Sequence, residues 1–212
     1  MTIQSHPPLA YLLSGETVVA LHDRSTALWH RETPALPADS RGQLLDAVTA
    51  QHLANFELWH FEDLARAPGA TDREIAAVKR DVDRVNQRRN DLAEVCDTVL
   101  LASLDREGLP DPDAELNSES PGLILDRLSI LALKIFHTRE EIDRPDAPAG
   151  HAERNRQRLE TLETQRSELA ACLDRLWQQT LAGSRRFKVY RQLKMYNDPS
   201  LNPAVYATRR GT

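Results

Sequence analysis

Ser120-Pro-Gly-Leu-Ile-Leu-Asp-Arg-Leu-Ser-Ile-Leu-Ala-Leu-Lys-Ile-Phe-His137 is the stretch on which the fold turns. From Leu123 to Phe136, ten of 14 residues are apolar, and at helical spacing they fall on every side. A helix that is apolar all round belongs in the middle of a structure rather than on its surface. Ser120 supplies an N-cap and Pro121 an N1 residue whose missing N–H costs nothing there. Such a helix needs others to cover it.

The flanking sequence offers them. After the Pro/Gly-rich loop 144–150, Leu159, Leu162, Leu169, Leu173 and Leu176 form one stripe of a long helix, interrupted by Arg166 and closed by Gly183. Upstream, Gly108, Pro110 and Pro112 mark a loop over 105–120. Before it, Thr71 and Glu74 form a capping box, followed by Ile75, Val78, Val82, Val85, Arg89, Leu92, Cys96 and Val99 at helical spacing. A further long helix is expected from about Ser40 to Ala67, with Leu45, Val48, His52, Asn55, Trp59 and Glu62 on one face. A shorter helix from Glu16 to about His30 precedes the Pro34 and Pro37 linker, and the basic segment from Arg185 to Met195 is expected to form a short helix. The expected fold is all-α: a single-domain bundle of about five helices, three of them long. Residues 1–39 form its N-terminal helix and linker, 40–206 its helical domain and 207–212 a tail.

Composition agrees. The 212 residues are 41% hydrophobic and 28% charged, with 5% aromatic residues and only eight glycines, too few for the turns of a β-sandwich. A net charge of -5 argues against a nucleic-acid partner. No apolar run approaches the roughly 20 residues of a membrane span, and no secretory leader follows Met1. The reading is a cytoplasmic protein without membrane contact. Cys96 and Cys172 fall among apolar residues and are expected to be buried, inert thiols.

Charges on apolar faces mark candidate sites, because functional sites are where local rules are broken. Asn55 and Glu62, seven residues apart, share a face of the first long helix; Arg89 lies in the seam of the second, with Asn86 on its edge. On the central helix, Arg127 and Lys134 share a face, with His137 nearby, and Asp126 breaks the same apolar run. A buried guanidinium needs a carboxylate or an anionic ligand, and Glu62 is one candidate partner. These positions are expected to form one polar cavity between helices. A satisfied structural network of ion pairs is the alternative.

The chemistry is narrowed by what is missing. Glu57-x-x-His60 matches one element of a carboxylate-bridged di-iron bundle, but no second copy exists, and no phosphate loop, nucleophile elbow or zinc-ligand spacing is present. Neither metal nor cofactor is expected. Glu62, Asp126 and His60 are the candidate acid/base residues. Asn55, Trp59, Asn86, Arg89, Arg127, Lys134, His137, Lys194 and Tyr196 are the candidate contacts to a small anionic substrate. Amphipathic helices in odd number also suggest a hetero- or homo-oligomeric partner.

Asn55-Phe-Glu-Leu-Trp-His-Phe-Glu-Asp63, Val82-Asp-Arg-Val-Asn-Gln-Arg-Arg-Asn-Asp91, the block from Asn117 to Leu131, and Lys194-Met-Tyr-Asn-Asp-Pro-Ser-Leu-Asn-Pro203 resemble the signature blocks of an uncharacterised bacterial family, domain of unknown function 4254. The resemblance spans about residues 40 to 206. It implies an accessory role in biosynthesis of surface polysaccharides or specialised metabolites, and more specifically a link to enzymes that close an aziridine ring by expelling sulfate in azinomycin-like pathways, where two small proteins act as a complex. The expected function is therefore a biosynthetic enzyme acting on a polar anionic metabolite by acid/base and positioning chemistry, with ring closure by sulfate elimination as its sharpest form. A non-catalytic subunit of a biosynthetic complex and a surface-polysaccharide accessory protein are the alternatives.

Overall fold

A computed structural model describes residues 9–34, 44–193 and 200–203. Among them, a 3-10 turn Leu9–Tyr11 leads to five helices: α1 Gly15–Trp29, α2 Leu44–Leu64, α3 Asp72–Asp105, α4 Pro121–Asp143 and α5 His151–Leu181. Two short strands, β1 Glu115–Leu116 and β2 Arg185–Arg186, pair in parallel and tie the loop before α4 to the chain leaving α5. The architecture is an all-α bundle, in which four of the described helices, α2, α3, α4 and α5, each exceed 20 residues.

Local signals behave as the sequence dictates. Thr71 and Glu74 close a reciprocal capping box at α3, and Ser120 caps α4 with Pro121 in its first turn. Gly183 takes φ 72° just past α5, a left-handed conformation that would strain a side chain. The apolar stretch of α4 lies at the centre, in contact with α1, α2, α3 and α5. Leu125, Leu128, Leu100, Leu104, Leu173 and Trp177 belong to the main core cluster.

Burial is uneven along the helices. In α2 every buried residue lies between Leu44 and Phe56, and in α3 the first buried residue is Val85. The expected α2 face is therefore corrected at its start: Leu45 is exposed, and Leu44, Ala47 and Val48 make the contact instead. Ile75, expected in the α3 seam, is exposed because it lies beyond the packed part of the helix. Residues 187–193 form no helix; the chain there is anchored by Gln192 N–H donating to Glu94 Oε1 at 2.7 Å. Cys96 is buried as expected and burial pushes its thiol pKa up, whereas Cys172, also expected to be buried, is exposed and lines the groove between α4 and α5.

Candidate functional site

The site begins with a close approach of two backbones. A methyl group at Gly122 would overlap the Ala93 carbonyl oxygen, so glycine lets the first turn of α4 sit directly on α3. Asp97 uses that proximity to accept the Gly122 N–H at 2.6 Å. One turn away along each antiparallel helix, Arg89 and Asp126 are thereby set opposite each other.

Asp126 is the hub. Its Oδ1 accepts from Arg89 Nε at 2.7 Å, from Asn55 Nδ2 at 3.0 Å and from the Gln51 amide, while Oδ2 accepts from Arg89 Nη2 at 2.5 Å. Three of the four donors converge on Oδ1 and one reaches Oδ2, so both carboxylate oxygens are engaged. Asp126 thus holds Arg89, Asn55 and Gln51 in register. The bidentate bond raises the pKa of Arg89, against the opposing effect of partial burial. Asn86 Oδ1 accepts from Arg89 Nη1 at 3.3 Å.

The network continues away from Arg89. Asn55 also donates to Ser129 Oγ at 2.9 Å, and Ser129 lies 2.7 Å from His52 Nδ1. His52 Nε2 faces the His22 carbonyl at 3.1 Å and Thr26 Oγ1 at 2.9 Å. A carbonyl only accepts, so Nε2 carries the proton and Nδ1 accepts from Ser129. Burial pushes the His52 pKa down to about 3. A serine bonded to an imidazole resembles a nucleophile and its base, but Ser129 and His52 are both completely buried, beyond reach of substrate. Their work is to orient Asn55.

Beside this network opens a cleft of about 400 Å³ between α2, α3 and α4. Asn55, Trp59, Glu62 and Arg89 line it, with Leu58, Ile130 and Leu133 as apolar wall and Asp63 and Arg66 at the mouth. Glu62 pairs at 2.5 Å with Arg66, in the turn just past the end of α2, not with Arg89. Five sequence-predicted residues, with Asp126 bonded to two of the lining side chains, are brought together here.

The other candidates lie elsewhere. Arg127 and Lys134 project into a separate groove between α4 and α5, where Arg127 is held at 2.9 Å by Glu119. The single cavity expected from the sequence is therefore corrected to two neighbouring ones, with Ile130 of α4 lining both. His60 and His137 join His30 in a cluster of rings: His30 lies 5.3 Å from His60 and 5.0 Å from His137 between centroids, and His137 stacks on Trp59 at 4.7 Å. No group of three or more His, Cys, Asp or Glu side chains among the described residues is arranged to hold a metal ion. Lys194 and Tyr196 lie outside the described residues.

Sequence reasoning missed Gln51, Ser129, Thr26, His22, His30 and Asp97. A signal existed for the first: Gln51, His52 and Asn55 crowd polar groups onto the otherwise apolar first half of α2.

A family model described as a protein of unknown function, DUF4254, matches residues 45–189, which include every described residue of the cleft. No curated protein and no solved structure matches the chain.

Proposed function

Because the chain belongs to DUF4254, a family of unknown function, we propose its role from the cleft itself: it binds a small anionic metabolite and acts on it by acid/base and positioning chemistry. The observation that carries this reading is Arg89, a guanidinium fixed bidentately by a satisfied carboxylate yet lining an open cleft beside an indole and an unburied carboxylate. Fixing the cation in advance lowers the entropy lost when an anion is seated. Glu62, half exposed at 44%, is the residue able to exchange protons with a ligand and with solvent.

In its sharpest form the reaction is an internal displacement. Glu62 takes a proton from an amine, the nitrogen pair forms a C–N bond, the C–O bond to a sulfate breaks, and the sulfate leaves toward Arg89 and Arg66. No electron is gained or lost overall. The four hydrogen bonds that Asp126 accepts favour a second reading, a binding subunit whose polar network is structural and whose partner carries the chemistry.

Titration with inorganic sulfate, followed by NMR of the Trp59 indole N–H and the Arg89 Nε–H, tests the binding step. Saturable shifts at both, lost in Arg66→Ala and retained in Arg127→Ala, are expected. Shifts that never saturate, or that report only on Arg127, overturn it.

A further inference from the structure

The imidazoles of His30, His60 and His137 come from three elements: His30 is the C-cap of α1, His60 lies late in α2 and His137 late in α4. Each has its Nδ1 on an oxygen. His30 donates to the Thr26 carbonyl at 2.7 Å, His60 to the Phe56 carbonyl at 2.8 Å and His137 to Glu140 Oε2 at 2.7 Å. With Nδ1 protonated, the neutral rings carry their lone pairs on Nε2. The Nε2 atoms of His30 and His137 are buried with no hydrogen-bond partner. Imidazoles that bind metals share this bonding pattern, but these rings do not converge on one coordination point. The species such lone pairs meet is the proton.

The surroundings decide how many protons fit. Phe136 stacks on His30 at 4.2 Å, Phe56 packs on His60 at 4.3 Å, and Trp59 covers one face of His137. Among charged groups, Glu140 of α4 is the carboxylate bonded to the cluster. Glu57 of α2 is engaged by Arg88 of α3, Arg139 of α4 by Glu163 of α5, and Lys134 is exposed. One positive charge can be balanced by Glu140. A second would lie about 5 Å from the first, with a buried N–H that has no acceptor.

We propose that these three imidazoles form a proton-operated latch that fastens the end of α1 to α2 and α4 and holds Trp59 as a wall of the cleft. Neutral, the rings pack face and edge. A second proton forces them apart, releases the last turn of α1 and frees the indole from its stack on His137. Burial, which lowers the His137 pKa, keeps the latch closed until the medium is acidic. The latch goes beyond the binding role proposed for the cleft and does not require it.

Hydrogen exchange of the full chain, compared between about pH 7.5 and about pH 5.5 after correction for intrinsic rates, reads the latch directly. Protection over residues 26–30 and 56–61 is expected to fall by about tenfold or more at the lower pH, with 169–177 unchanged. His30→Phe keeps a ring and removes the proton site, and is expected to abolish the change. Unaltered protection in the wild type, or the same loss in His30→Phe, overturns the proposal. If that variant does not fold, nitrogen-detected histidine NMR of the wild type decides: entry of a second proton together with movement of the α1 and Trp59 signals supports the latch, and protonation of all three rings with those signals unmoved overturns it.

Discussion

Two polar regions lie about three turns apart on α4, and they are built on opposite terms. Around Asp126 both carboxylate oxygens have donors, four in all, and the ion pair with Arg89 is neutral as a unit. Around His137, Nε2 of His30 and Nε2 of His137 are buried with nothing to bond. A satisfied network is stiff because any movement breaks several bonds together. A cluster of unpaired lone pairs responds to protons. The first suits a template for binding and the second a means of control.

The sharpest way to break this contrast is to remove one partner of the satisfied pair. Arg89→Ala leaves the Asp126 carboxylate buried without its counter-ion, and a loss of about 3–5 kcal/mol is expected in urea unfolding. The double variant Arg89→Ala/Asp126→Asn is expected to recover part of that loss, since the charge is then gone. Next in size, Gly122→Ala drives a methyl into the α3 backbone and is expected to cost about 1–3 kcal/mol, measured the same way, and to shift the Arg89 Nε–H resonance.

Asp97 and the histidines respond to pH with opposite sign. Burial raises the Asp97 pKa to about 6, so between the ordinary value of 3.8 and about 6 the folded chain keeps a proton that the unfolded chain releases. Stability from this group therefore falls as pH rises through that window, and Asp97→Asn, which can still accept from Gly122, is expected to remove the fall. The histidines act oppositely. Burial lowers the pKa of His22, His52 and His137, so as pH drops below 6.5 the unfolded chain binds protons that the folded chain refuses, and stability falls. His137→Gln is expected to make that acid limb shallower, read from urea midpoints at a series of pH values. The smallest effect belongs to Glu62→Gln. Its exposed pair with Arg66 is worth less than about 0.5 kcal/mol, so the urea midpoint is expected to move little.

Much of this was legible in the sequence. The apolar run of α4 placed that helix at the centre, and the Thr71 and Glu74 pair marked where α3 begins. Arg89 and Asp126 stood out as charges on apolar faces, but their mutual pairing did not, because a periodicity gives faces and not the register between helices. That register depends on the contact at Gly122, a residue with no side chain to betray it. Glu119 was hidden in the same way: it lies in the loop before α4 and claims Arg127, which removes that cation from the cleft. Three histidines separated by 30 and 77 positions carry no pattern at all until α1, α2 and α4 are packed.

Native mass spectrometry of the protein purified from its own cells tests the central claim most directly. A small non-covalent adduct that leaves as an anion on activation, absent from Arg66→Ala and Trp59→Ala but retained by Arg127→Ala, is the predicted result. An adduct that survives in the cleft variants and disappears in Arg127→Ala would contradict the assignment of the cleft, and a bare chain mass in all four samples would contradict the claim that it holds a metabolite.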